Sequence, residues 1–407
     1  MNRLSSLVVC VFVLVVVYAS PVLGDGCFIL PVGSAADLSQ TRQEAVLAFH
    51  DTSVTYVMRT MYTGSPNDFA WVIPVPATPN DVVDHADGAL FDELDESTRP
   101  RFFTIGAVSR GCGCSADLAG GTSGTSLVTV EASGTAGVFD WAALTSTGAD
   151  ALLGWLNLNG YAVPASAQPF LQTYILQGMH FLAVRIGRPQ DLLADAQGQV
   201  EIPPLQFTCQ TARRYYPMVI SRISAASQTE VLLYLIAEHR AEATNVPNGE
   251  IPRGDVVRDP NSPSNTNYEA LFAAQIAALG GLALITEYAG LLDHLPYNYS
   301  SSYNATGDVA AAWPNMPQEL RDPNDGFRSG LFLTRMRTLL PPERMTVDFE
   351  FDAAAADTTV SSEFWISDAN QTAAASVFGP PLAVLGAYAL CCAAVRHRRG
   401  RRPPPPT

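Results

Sequence analysis

The sequence predicts an α+β fold: a β-rich ectodomain with several short helices, followed by a single C-terminal transmembrane helix. Three observations carry this. Runs that mix β-branched and aromatic residues, such as "SVTYVMRTMY" and "EVLLYLIAEHR", recur between polar turns. Two stretches, "ADALLGWLNLN" and "ASAQPFLQTYILQG", read as helices closed by Gly160 and Gly178. Apolar residues form 47% of the 407, enough for a substantial core, which excludes wholesale disorder.

In chain order, "EAVLAFHD" and "SVTYVMRTMY" predict two strands around a short polar turn, His50 to Ser53. Pro74 and Pro76 in "FAWVIPVP" share one face of an extended segment and cannot donate to a ladder, so an edge strand or a strand end is expected. Residues 81–98 are acidic, contain a short helix and lack calcium-loop spacing; their carboxylates read as a solvated face. "SLVTVEA" is a short strand within a Gly/Ser/Thr-rich stretch, 117–137. Thr147 or Asp150 is placed to cap the first of the two helices, and "MHFLAVRIG" follows the second as a strand. "QVEIPPLQFTCQT" and "EVLLYLIAEHR" are two further strands. "YEALFAAQIAALGGLALITEYAGLL" is interrupted by Glu269, Gln275, Glu287 and Gly280-Gly281. It reads as a buried helix, 268–279, and a core strand, 281–288, rather than a membrane span. The Pro/Asn-rich stretches 244–267 and 296–330 exceed ordinary connections and read as variable insertions.

The two ends speak about location. Residues 1–24 have the layout of a signal peptide: Arg3, an apolar run from Leu7 to Tyr18, and Val22 and Gly24 before Asp25. The ectodomain then runs over 25–352 and a polar linker over 353–372. Residues 373–395 are uncharged and would span about 34 Å as a helix, enough for the hydrocarbon core. Arg396, Arg398, Arg399, Arg401 and Arg402 flank that helix in a basic, proline-rich tail, 396–407, and positive flanks stay in the cytoplasm. The expected arrangement is type I in the cell membrane, with the ectodomain outside. The competing reading is a C-terminal sorting label that is cut off.

Charge and motifs exclude several classes. Every basic residue is arginine, and residues 25–372 carry 18 of them against 39 carboxylates, or −21. An acidic surface repels phosphate backbones, so nucleic acid is not an expected partner. Without lysine a P-loop is impossible. The six histidines, His50, His85, His180, His239, His294 and His397, form no metal-binding pair, and no Gly-x-Ser-x-Gly elbow occurs. No cofactor or metal is expected, and no catalytic residue is assigned. His239 and Glu238 read as structural polar residues at a strand end. Four cysteines lie in the ectodomain: Cys27, Cys112, Cys114 and Cys209. Outside the cytoplasm an even count predicts two disulfides. Long-range pairing of Cys27 and Cys209 with Cys112 and Cys114 is favoured over a local Cys112–Cys114 ring, which stays open as the alternative.

"YTGSPNDFAWVIPVP", "ALFDELDESTRPRF", "LLGWLNLNGYAVP", "LQTYILQGMHFLAVRI", "PPLQFTCQTARRYYPM", "ITEYAG" and "FLTRMRTLLPPERMTVDFEF" occur in this order. Over roughly residues 26–352 the chain thereby resembles the bacterial domain of unknown function 2330 family. The resemblance implies a secreted or envelope-associated bacterial protein and carries over no catalytic or binding residue. The function read from this stage is a membrane-anchored envelope protein whose ectodomain is a non-catalytic binding or surface-display module with an envelope or extracellular partner. The alternative is a secreted hydrolase with a dispersed active site.

Overall fold

The computed structural model describes residues 27–29, 38–64, 70–84, 88–104, 128–159, 163, 167–186, 192, 194–195, 198–295, 313–322 and 327–366. The signal peptide, Cys112, Cys114, the predicted membrane span and the arginine flank lie outside them. Among the described residues no helix is long and apolar enough to cross a membrane.

The chain opens with β1 (Cys27–Ile29), β2 (Leu38–Phe49), β3 (Val54–Gly64), β4 (Ala70–Val75) and β5 (Pro79–Asp84). β2 and β3 form the expected hairpin: Phe49 faces Val54, and the turn closes where His50 N donates to Ser53 O at 2.9 Å. The proline expectation for β4 also holds. β1 pairs with Ala70 to Val72, so among the described residues Pro74 lies beyond it and pairs on one side, with Phe181.

Helix α1 (Ala89–Thr98) and strand β6 (Arg101–Thr104) follow, then β7 (Thr129–Ala136), β8 (Phe139–Thr145), α2 (Ala149–Leu158), α3 (Gln168–Leu176) and β9 (His180–Ile186). Neither Thr147 nor Asp150 caps α2. The cap position is Gly148; Gln172 Oε1 accepts from Ala149 N at 3.0 Å, and Asp150 lies inside the helix, accepting from Gln168. A neighbouring helix thus supplies the cap that local sequence was expected to supply. Gly178 ends α3 at φ +71, a conformation that side-chain-bearing residues avoid.

The second half contains β10 (Gln199–Cys209), β11 (Tyr215–Tyr216), β12 (Ala225–Ala237), β13 (Ala241–Ala243), β14 (Asn248–Gly249), α4 (Tyr268–Ala278), β15 (Leu284–Leu291), β16 (Phe332–Leu340), β17 (Phe349–Ala353) and β18 (Glu363–Ile366). The 244–267 stretch is not slack. Asn248 exchanges two hydrogen bonds with the Ala243 backbone, and Asn267 holds Val257 N and Asp255 O. Side-chain amides replace the ladder hydrogen bonds that the sequence pattern lacks.

Two sheets dominate. Eight strands run in the order β14-β15-β16-β12-β2-β3-β10-β5, and five run β1-β4-β9-β8-β7. Tyr56, Met58, Phe207, Leu233 and Leu235 of the large sheet pack with Trp71, Ile73, Leu182 and Val184 of the smaller one. Helices α2 and α3 cover the far side of the smaller sheet through Leu152, Leu156, Leu171 and Tyr174. Helix α1 and Trp313, Met316, Leu320, Phe327 and Leu331 cover the far side of the large sheet over Val46, Leu232, Tyr234 and Ile236. The result is four layers, helix–sheet–sheet–helix. The α+β, β-rich expectation is met, with four short helices among the described residues.

Candidate functional site

Arginine placement on the large sheet builds the site. Alternate residues of a strand share a face, so Arg42 and Glu44 of β2, Arg59 of β3, Glu230 of β12 and Arg335 and Arg337 of β16 stand on the helix-covered face. They form a continuous chain of ion pairs. Arg59 bonds Glu44 at 2.6 Å and Glu201 at 3.0 Å; Arg42 bonds Glu44 at 2.8 Å and faces Glu230 at 3.5 Å. Arg337 bonds Glu230 at 2.6 Å, grips both oxygens of Glu269 at 3.0 Å, and approaches Glu287 at 3.4 Å. Arg335 bonds Glu287 at 2.9 Å and Asp95 at 2.7 Å.

The acidic helix is therefore more than a solvated face. Asp92 reaches Arg59 and Asp95 reaches Arg335, tying α1 to the sheet. Gly88, at the head of α1, makes room: a side chain there would sit 2.8 Å from Arg59 Nη1. Burial works against the Arg335 charge, but Tyr234, Glu287 and Asp95 outweigh it and hold the guanidinium above its ordinary range. Burial likewise opposes the Asp95 charge, and Arg335 overcomes it, so its carboxyl titrates below the usual range.

One end of this chain forms the floor of a cleft of about 350 Å³ lined by Glu250–Arg253, Tyr268, Thr286, Glu287, Val360, Ser361 and Phe364. It opens on the outer edge of β15. β14 covers that edge at Leu284 and Ile285, and Val360 covers it at Ala289. Between them the β15–β16 register shifts, between Thr286 and Tyr288. Such an irregularity re-aims side chains. The Glu287 side chain is fully buried and accepts from Tyr268 OH at 3.0 Å. Burial, with Glu287 beside it, pushes the Tyr268 phenol well up. Thr286 Oγ1 is buried with no hydrogen-bond partner among the described residues. Arg253 stacks its guanidinium 5.0 Å over the Phe364 ring and donates to the Glu363 and Ser361 carbonyls.

The segment that leads into the lip of the cleft, residues 354–359, is held by Arg240. Its backbone N donates to Asp357 at 2.8 Å, and its side chain bonds Thr358 at 2.7 Å and Glu250 at 2.8 Å. His239 Nδ1 lies 2.9 Å from Asp357. This hydrogen bond raises the His239 pKa and lowers that of Asp357. The histidine's contribution is complete below its unfolded pKa and disappears as pH rises through the folded value. The aspartate's contribution is present above its unfolded pKa and disappears as pH falls through its folded value. The pair is thus complete in mildly acidic solution and dissolves on either side. Asp357→Asn is expected to lower the His239 pKa toward its ordinary value in an NMR titration; an unchanged titration would contradict the pairing. Glu238, the neighbour of His239, bonds Arg328 at 2.9 Å.

The second histidine cluster cannot relay protons in this arrangement. Thr78 Oγ1 and Glu131 Oε2 both lie 3.0 Å from the same nitrogen, His180 Nδ1. A hydroxyl–imidazole–carboxylate relay needs one partner on each ring nitrogen. Among the described residues no group of histidine, cysteine and acidic side chains is arranged to hold a metal ion.

Of the residues singled out in the sequence, Cys209 ends β10 with its thiol buried, 3.5 Å from the Ala77 carbonyl; burial pushes its pKa up to about 12. Cys27 contributes backbone to β1, while its side chain, Cys112, Cys114 and Arg396, Arg398, Arg399, Arg401 and Arg402 lie outside the described residues. Cys209 does not line the cleft. The ion-pair chain beneath the cleft carried one sequence signal: Arg335 and Arg337 alternate within a largely apolar strand, and Glu287 interrupts another.

These features define a four-layer α+β protein with a charged sheet face and an edge cleft. The chain belongs to the family described as "Uncharacterized protein conserved in bacteria (DUF2330)", whose profile matches residues 25–352. The crystal structure of baculovirus P35 is similar over 56% of this chain and 84% of that one, at 8% identity and a TM-score of 0.29, a likeness that transfers no role. No curated protein matches.

Proposed function

We propose that this is a membrane-anchored bacterial envelope protein whose ectodomain binds rather than catalyses, with the β15-edge cleft as its ligand site. The observation that carries the proposal is the Thr286 hydroxyl, buried without a partner among the described residues, in a lining shared with Tyr268 and Phe364. Buried polar groups are nearly always paired, and an apolar cleft with a few convergent polar groups is the usual form of a small-molecule site. The ligand is a small amphipathic molecule: an apolar face against Phe364 and Ile251, and a polar group toward Thr286. Glu250 is already paired with Arg240 and Glu287 with Arg335 and Arg337, and Arg253 shares the lining, so charge alone does not choose the head group. Residues 373–395 are the anchor and 396–407 the cytoplasmic tail; Cys27, Cys112, Cys114 and Cys209 form two bridges after export.

The test uses the full-length protein. The peptide ending at Thr407 is expected in the membrane fraction, and its recovery only as a truncated chain would reject the anchor. Thermal-shift screening against sugars, amino acids and short amphipathic amines is expected to give a stabilising ligand whose effect Thr286→Val abolishes. A shift untouched by Thr286→Val and Glu250→Gln places binding elsewhere. Turnover of an ester or glycoside substrate would favour the hydrolase reading instead.

A further inference from the structure

β6 and β18 pair in parallel, Glu363 beside Arg101 and Trp365 beside Phe103. Phe364 and Ile366 turn inward onto Tyr268 and Phe272. The alternate residue, Trp365, turns outward and is 64% exposed, its ring stacked on Phe103 at 4.9 Å. Strand alternation makes this outward face unavoidable once Phe364 is buried. It places a large aromatic pair on the surface of a strongly acidic protein.

The chain supplies the occupant. Strand β18 ends at Ile366, and the span read from the sequence begins at 373. Seven residue steps reach at most about 24 Å when extended. The Trp365 end of β18 is thus tethered within that distance of the bilayer, at the end of the strand from which the chain leaves. Glu363 and Arg101 stand at the opposite end of the pair. Tryptophan has an apolar body with one polar N–H and concentrates at the headgroup level of membranes. We propose that the Trp365–Phe103 face is a membrane-docking surface that rests in the headgroup region of the leaflet into which this chain's own C-terminal helix inserts. Net charge −21 over residues 25–372 repels anionic headgroups, so the contact is aromatic rather than electrostatic. Docking fixes the orientation of the ectodomain, and with it the direction in which the β15-edge cleft faces, since Phe364 of the same strand lines that cleft.

The inference rests on the anchor reading, and the experiment separates the two. Full-length protein is reconstituted into phosphatidylcholine vesicles, with or without bromine at shallow acyl positions. The emission of the Trp365→Phe variant is subtracted from that of the wild type to isolate Trp365. The expected result is co-flotation with the vesicles, a blue-shifted Trp365 component relative to detergent-free ectodomain, and quenching of that component by the shallow-brominated lipid. Co-flotation without quenching overturns docking and leaves the anchor intact. Failure to co-float overturns both. A component already blue-shifted without lipid, and unquenchable with it, shows that another part of this chain covers the face and also overturns docking. Phe103→Ala is expected to weaken the quenching while leaving co-flotation unchanged; equal quenching in that variant would remove Phe103 from the surface.

Discussion

Replacing Glu287 with alanine is expected to destabilise the fold by about 3–5 kcal/mol, the range for breaking a buried ion pair by removing one partner. The carboxylate is fully buried and serves three groups at once: Arg335 at 2.9 Å, Arg337 at 3.4 Å and the Tyr268 hydroxyl at 3.0 Å. Its loss leaves the Arg335 guanidinium, itself only 5% exposed, with Asp95 as its remaining carboxylate and leaves the phenol without its acceptor. Glu287→Gln keeps the shape and an acceptor, and is expected to cost less, about 1–3 kcal/mol. Glu269 provides the contrast. It grips the same Arg337 with two hydrogen bonds but is 56% exposed, so Glu269→Ala is expected to cost about 1 kcal/mol or less. Urea unfolding at constant slope reads all three. Equal effects for Glu287→Ala and Glu269→Ala would show that solvent reaches the β15–β16 face and that the network is not a buried one.

Asp348→Ala is expected to cost about 3–4 kcal/mol, because one carboxylate holds four donors and stranded buried polar groups cost about 1–3 kcal/mol each. Tyr174 OH donates at 2.7 Å and Tyr215 OH at 3.1 Å, while Met218 N and Val219 N donate at 2.7 Å each. Both tyrosines are buried, and burial pushes their phenols far above the ordinary value, so neither ionises to relieve the loss. Tyr174 belongs to α3 and Tyr215 to β11, so this carboxylate joins the outer helical layer to the three-stranded sheet β11-β17-β13. Hydrogen exchange is expected to quicken in 168–176 and 215–222 before the β2–β3 hairpin responds. A uniform change across the chain, or a cost below about 1 kcal/mol, would mean that water replaces Asp348 without penalty.

The sequence by itself determined the local elements. The β2–β3 hairpin and its His50–Ser53 turn, the helices at 149–158 and 168–176 and the family were legible, because each rests on residues a few positions apart. α4 and β15 were legible as elements, but α4 buries only Tyr268, Phe272 and Ile276 rather than being a buried helix, and β15 runs over 284–291 rather than 281–288. Hydrophobic period, turn residues and a terminal glycine act at that range. β12 shows where legibility stopped. "EVLLYLIA" reads as a strand, but only the packing explains why it is apolar throughout: Val231, Leu233 and Leu235 face the smaller sheet while Leu232, Tyr234 and Ile236 face α1. Its neighbours β2 and β16 are drawn from opposite ends of the ectodomain, and the parallel pairing with β2 joins residues nearly two hundred positions apart, such as Leu235 and Leu47.

Beyond the alternation of Arg335 and Arg337, the charged face and the cleft belonged to the tertiary structure. Arg335 and Glu287 are ordinary interruptions of apolar runs until β15 and β16 pair and set them 2.9 Å apart. The carboxylates of 81–98 read as solvated because only Arg99, at the end of the helix, opposes them locally; the arginines that tie Asp92 and Asp95 to the sheet lie on β3 and β16. The cleft takes one wall from 250–253, its floor from 268 and 286–287 and its lip from 360–364. No local pattern connects such segments, since side chains that share no strand or helix meet only when register and layer order bring them together.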